Sequence, residues 1–269
     1  MKCQLMLGVI LTCAPATAAD LATLRLQLRT RVEAFKGTGE WHEVHVDQTL
    51  PVSRTAILIC DMWDKHWCSG ASRRVDALAA GMNPVLEKAR AAGMQIIHAP
   101  SETMDFYNDA PQRLRILAFA KTSPPASLGL TDPPLPIDDS DGGCDTPDQF
   151  YKAWTRENAA LQIGPEDVVS DDGAEIYTFL KNRGIDNLLI MGVHTNMCIL
   201  NRSFAIKQMT NWGQRCILVR DLTDSMYNPK ARPYVSHDQG TELVIEHIEK
   251  YWAPTVLSEQ LIQALREAR

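Results

Sequence analysis

The sequence predicts an α/β protein: a doubly wound, mostly parallel sheet with helices on both faces, in three layers. Three observations predict it. Short continuous apolar runs such as "TAILIC" (55–60), "MQIIHA" (94–99) and "DNLLIMGV" (186–193) read as strands covered on both faces. Segments of helical spacing separate them, and such alternation builds parallel sheets by crossover. The 269 residues, 45% hydrophobic and 22% charged, suit a globular α/β domain rather than a disordered chain.

The elements follow in chain order. "MKCQLMLGVILTCAPATAAD" has a Lys, a short apolar stretch and the small-x-small triplet Ala16-Thr17-Ala18. Residues 1–19 therefore read as a signal peptide cleaved near Ala18, implying export, and the stretch is too short for an ordinary membrane span. Leu21, Leu24, Leu26, Leu28, Val32 and Phe35 suggest an N-terminal helix ended by Gly37 and Gly39, followed by an edge strand at "WHEVHV" within 20–50. The main domain spans 51–269. Its strand "TAILIC" leads to a helix over 73–93 containing Pro84, then "MQIIHA" and a helix over 107–120. Residues 121–149, dense in Pro, Gly and Asp, read as an inserted surface excursion, either a lid or binding loop or a mere decoration. The rhythm resumes with strand "EDVVS", helix "GAEIYTFLKNRG", strand "DNLLIMGV", helix 195–213, strand "RCILVRD" and helix "TELVIEHIEKYW". A late strand near "PTVLS" and a last helix from Glu259 complete it.

The net charge of -6, without a basic stripe, argues against nucleic acid as a partner. After removal of a signal, Cys60, Cys68, Cys144, Cys198 and Cys216 remain. Cys60 and Cys216 lie in apolar runs and read as core. Cys68 and Cys144 lie in polar loops and form a candidate disulfide in an oxidising compartment. His66 and Cys68 do not by themselves make a metal site, and neither a metal nor a cofactor is expected.

Ligands of open parallel sheets bind outside the carboxyl ends of strands. The residues to inspect are therefore Asp61, Ser101, Glu102, Asp171, His194 to Cys198, and Asp221. At a helix start, Cys198 has partial positive charge and free N–H groups nearby, which favour a thiolate and an oxyanion. Asp61 is suited to take the thiol proton. Each also has a plainer reading, as a buried helical Cys and a helix cap. Trp63 suits a flat wall for a planar substrate or a core position. His194 lines a pocket or a turn. Asn196 contacts substrate or caps the helix. His237 reads as a first-turn helix residue, and the loop 224–238 as part of a pocket rim.

"TAILICDMWD" with "GIDNLLIMGVHTNMCI" resembles the isochorismatase-like cysteine hydrolases, which include nicotinamidases. Gly192, Val193, Thr195 and Cys198 match their G-V-x-T-x-x-C turn, and "GQRCILVRDLTDS" resembles their next strand and acidic turn. The resemblance covers roughly residues 50 to 255. It implies that Cys198 is the nucleophile, Asp61 the general base, and the backbone N–H groups of His194 and Cys198 an oxyanion hole beside a cis peptide. The reaction implied is cleavage of a small amide or related C–N bond through a thioester, and assembly into a homo-oligomer is common in the family. One position departs from the pattern: Asp171 stands where the family places a catalytic Lys. Lys152 and Arg156 are candidates to replace that charge, with Lys65 a weaker one. The alternative is a small-molecule binding module without turnover. The nicotinamidase metal pattern has no counterpart after the second strand.

Overall fold

The computed structural model describes residues 22–268, so the expected signal peptide lies outside the described residues. An eight-stranded sheet runs through the molecule in the order β2-β1-β8-β7-β6-β3-β4-β5. Its strands are β1 (Thr23–Glu33), β2 (Trp41–Pro51), β3 (Thr55–Cys60), β4 (Gln95–Ala99), β5 (Val168–Val169), β6 (Asn187–Val193), β7 (Arg215–Asp224) and β8 (Thr255–Val256). All neighbours from β8 to β5 pair in parallel, and β1 pairs antiparallel with both β2 and β8.

Among the described residues, eight α-helices accompany these strands: α1 (Ser69–Ala91), α2 (Met104–Tyr107), α3 (Pro111–Leu117), α4 (Gly173–Asn182), α5 (Cys198–Asn201), α6 (Ile206–Asn211), α7 (His237–Tyr251) and, after the last strand, α8 (Ser258–Glu267). The unbroken apolar runs are explained by double coverage. On β3, Ala56, Leu58 and Cys60 face a core shared with α4, α6 and α7, while Ile57 and Ile59 face one shared with α1 and α8. Successive side chains of a strand point to opposite faces, so a strand between two helical layers must be apolar at every position.

The expected N-terminal helix is strand β1. Leu24, Leu26 and Leu28 are buried while Arg25 and Gln27 are exposed, a repeat of two rather than 3.6. The expected edge strand is β2, full-length partner of β1 from Thr23↔Pro51 to Glu33↔Trp41. It exposes His42, Glu43, His45 and Asp47, charged and polar groups that blunt an open edge. Glu249 on α7 locks the hairpin down: it accepts from Arg29 Nε at 2.6 Å, from Arg31 Nε at 3.2 Å and from Thr255 Oγ1 at 2.6 Å.

Two further differences shape the site. The irregular stretch runs from 118 to 167, longer than the expected insertion, and its later part runs beside residues 62–64. The single helix expected over 195–213 is broken into α5 and α6. At Arg202 the backbone turns extended, with ψ 151°. The N–H of Gly173 donates to Ser203 Oγ at 3.0 Å, and a Cβ at Gly173 would meet Ser203 O at 2.0 Å, so α4 seats its first turn against the break. Among the described residues no helix is long and apolar enough to cross a membrane.

Candidate active site

The chain leaves β3 towards β4 and β5, then returns to lay β6 on the other side of β3 before continuing to β7 and β8. The carboxyl ends of β3 and β6 therefore form the switch-point crevice where open α/β sheets bind ligands. Cys60 pairs with Gly192, which sets Asp61 and the turn 193–198 side by side. Gly192 has φ +117°, and a Cβ there would meet Cys60 O at 2.0 Å, so no larger residue fits this approach. The Val193–His194 peptide bond is cis, as the resemblance implies.

Asp61 is fully buried and has φ +47°, an uncommon conformation for a residue with a side chain. Its carboxylate is well supplied: Ser101 N–H donates to Oδ1 at 2.7 Å, and Arg202 Nε donates to Oδ2 at 2.9 Å. The Cys198 thiol is close enough to the same carboxylate for each to shift the other's ionisation. Cys198 is partly exposed at an open cavity of about 480 Å³, lined also by Leu135, Asp139, Asn196, Met197, Asn201 and Arg202.

The electrostatics follow from burial. Burial pushes the Asp61 carboxyl up from its ordinary value, opposed by Arg202 and by the thiol and Ser101 hydrogen bonds. Burial, and then the negative Asp61, also push the Cys198 thiol up, while Arg202 and the His194 N–H oppose this. The depressed thiol pKa expected from a helix start is therefore corrected. Helix α5 is a single turn, too short for a full macrodipole, and a carboxylate faces the sulfur. Burial and the facing Asp61 thus favour the thiol form of Cys198, while Arg202 favours the ionised form of Asp61.

That cation is Arg202, which sequence reasoning missed. The residue stands four places after the thiol, a spacing that joins side chains on one helix face and was legible in principle. Lys152 and Arg156 are corrected as replacements for the family Lys. Lys152 Nζ donates to the carbonyl of Glu102 at 3.0 Å. Residues 155–158 are zipped along 62–64, and the guanidinium of Arg156 lies 5.3 Å from the Phe106 ring. Lys65 lies over the Tyr151 ring at 5.6 Å. Asp171 does not repel the site; its Oδ2 accepts the N–H of Glu102 at 2.8 Å.

The remaining candidates divide. Trp63 is 4% exposed and is absent from the cavity lining; it stacks on Trp154 at 4.6 Å, gives its Nε1–H to Ser101 O at 3.0 Å, and lies behind Arg202. Asn196 does line the cavity, but neither caps α5 nor keeps its polar atoms free. Its Nδ2 donates to Asp139 Oδ2 at 2.8 Å and Met226 O at 3.0 Å, and its Oδ1 accepts from Met226 N at 2.9 Å. His194 is buried edge-on to His66, at 4.9 Å between ring centroids. Burial, and then the charge of His66, hold its imidazole down to about 3, so it is neutral. His237 begins α7 and pairs with Asp224 at 2.8 Å. Asp221 caps Ser258 on the far side of the turn.

The insertion is part of the site. Leu135 and Asp139 wall the cavity, and a Cys68–Cys144 disulfide ties the segment to the start of α1. Arg74 adds a bond to Asp145 at 2.7 Å and to Asp224 at 2.8 Å. Cys68, Cys144 and Asp145 bring three potential ligand atoms within 4.8 Å of one another, but sulfurs joined to each other are not thiolate ligands. His66 Nδ1 is likewise occupied, accepting the N–H of Cys68 at 3.1 Å.

No protein-family model matches the chain, and no curated protein matches its sequence. Solved structures do. A cysteine hydrolase from Pseudomonas syringae pv. phaseolicola 1448A is similar with a TM-score of 0.53 and 17% identity, over 81% of this chain and 95% of that one. An isochorismatase from Pseudomonas putida KT2440 has a TM-score of 0.47 and 15% identity, over 77% of this chain and 90% of that one. N-carbamoylsarcosine amidase from Thermoplasma acidophilum has a TM-score of 0.43 and 13% identity, over 77% and 97%. The strand order and the first of these likenesses together give the conclusion that the chain has an isochorismatase-like α/β fold.

Proposed function

We propose that the protein is a cysteine hydrolase that cleaves a small amide or related C–N bond through a thioester at Cys198. The observation that carries this reading is a partly exposed thiol and a guanidinium that line one cavity, with the buried Asp61 carboxylate bound to that guanidinium behind them. Attack on a carbonyl carbon forms an S–C bond while the thiol proton passes to Asp61. The backbone N–H groups of His194 and Cys198 receive the oxyanion. Collapse breaks the C–N bond, and Asp61 gives its proton to the departing amine. Water then attacks the thioester, losing a proton to Asp61, which returns it to the sulfur as the acid leaves. Arg202 offsets the charge that moves between Asp61 and Cys198, so each proton transfer occurs beside a fixed cation.

The binding-module alternative drew its support from Asp171 replacing a Lys. Arg202 supplies that charge from another element, and the hydrolase reading is the better supported. Export is the compartment we propose: the N-terminal segment reads as a signal, and the Cys68–Cys144 disulfide suits an oxidising environment. The test is a panel of small amides followed by intact-protein mass spectrometry. Turnover with a covalent adduct on Cys198, both lost in Cys198→Ala, is the expected result. Turnover that survives Cys198→Ala overturns the mechanism.

A further inference from the structure

Two carboxylates lie beyond Asp61 on the far side of Arg202, and the mechanism above uses neither. Glu102 follows β4 with φ +63°, a left-handed conformation that costs a non-glycine residue energy unless neighbours hold it. The holder is Asp171, whose Oδ2 accepts the Glu102 N–H at 2.8 Å. Lys152 Nζ adds a bond to the Glu102 carbonyl at 3.0 Å. Held this way, Glu102 turns its Oε1 towards Arg202 Nη1 at 3.5 Å. The planar guanidinium is thus gripped at two edges, by Asp61 through Nε at 2.9 Å and by Glu102 through Nη1. The Trp63 ring lies under it, 5.9 Å from its central carbon.

We propose that Asp171 and Glu102 are positioning residues that hold Arg202 over the Asp61–Cys198 pair. This rests on the hydrolase reading for its purpose, although its geometry does not. An arginine side chain has several rotatable bonds, and a single contact leaves its fork free to swing; a second carboxylate fixes the plane. The groups facing Arg202 are Asp61 and Cys60 from the end of β3, Cys198 from α5, and Glu102 from the β4 turn. Those facing Glu102 are Arg202, Lys152 and, at its backbone, Asp171. Asp171 therefore acts through a main-chain hydrogen bond, not through its charge on the sulfur.

The test is the rate at which iodoacetamide alkylates Cys198 in the full chain at a fixed, mildly alkaline pH, read by peptide mass spectrometry. It needs no substrate, so its failure is distinct from failure of the proposed function. Cys60 and Cys216, the other free thiols among the described residues, are buried and serve as internal controls for folding. Glu102→Ala and Asp171→Ala are each expected to slow alkylation roughly threefold, the scale of a half-exposed ion pair. Asp171→Asn keeps an oxygen acceptor for the Glu102 N–H and is expected to bring the rate back towards that of the unaltered protein. Unchanged or faster alkylation in both Ala variants, with Cys60 and Cys216 still protected, overturns the proposal. So does an Asp171→Asn variant as slow as Asp171→Ala, since charge rather than the main-chain bond would then be responsible.

Discussion

Asp61 stood out in the sequence because it directly follows an apolar run, and Cys198 because it lies in the turn after another, where Gly192, Val193, Thr195 and Cys198 resemble the G-V-x-T-x-x-C motif; the carboxyl end of a parallel strand is where side chains leave the core for a crevice. Arg202 stands at a readable spacing, four places after the thiol, but its bond to Asp61 depends on a helix that ends after one turn beside the start of α4, and the spacing alone does not encode that ending. Gly192 is a position where a single atom decides the outcome. Gly192→Ala adds a Cβ against the Cys60 carbonyl at an unfavourable φ, and is expected to cost about 3 kcal/mol or more in denaturant unfolding. His98 offers a test of pH. The ring is fully buried on β4 between Glu157 at 2.7 Å and Asp167 at 3.0 Å. Burial lowers its pKa, but the two carboxylates outweigh this and raise it from 6.5 to about 9. A raised pKa means that the folded state holds the proton more tightly than the unfolded one. Its contribution is then fully present below pH 6.5 and is lost as pH rises through about 9. The melting temperature of the unaltered protein should exceed that of His98→Asn most at pH 6.5 and below, with the gap shrinking towards pH 9. A gap that widens with pH contradicts the pairing.

The strand runs buried on both faces were legible as elements because nothing competes with a continuous apolar stretch of that length. The hairpin was not. Three leucines at alternate positions were read with a helical period because further apolar residues on either side also fit one, and pairing with β2 and β8 decided the matter. The insertion was visible as an excursion, but its closeness to the nucleophile depends on long-range ties that composition does not encode. The Cys68–Cys144 disulfide closes a loop with a sequence separation of 76. Replacing both cysteines by Ala is expected to cost roughly 2–5 kcal/mol of stability. If the insertion walls the working cavity, the same variant should also raise KM more than it lowers kcat, because the wall is loosened while Cys198 and Asp61 stay in place. An unchanged KM would separate the insertion from substrate binding.

At the scale of the whole molecule, the order of strands creates the site. The chain reverses its direction of travel across the sheet between β5 and β6, and this opens one crevice between the ends of β3 and β6. Asp61 enters it from one strand and Cys198 from the turn after the other, with Ser101 and Arg202 converging on the carboxylate. The sheet supplies a rigid frame, and the loops at its carboxyl ends supply chemistry. The most direct measurement is rapid-quench mass spectrometry during turnover of a hydrolysed amide, comparing the unaltered protein with Asp61→Asn and Cys198→Ala. An acyl group on Cys198 in the unaltered protein, scarcely formed in Asp61→Asn and absent in Cys198→Ala, is the result expected. Hydrolysis at full rate in Asp61→Asn, or an acyl group carried on another residue, would contradict the pairing of that carboxylate with that thiol.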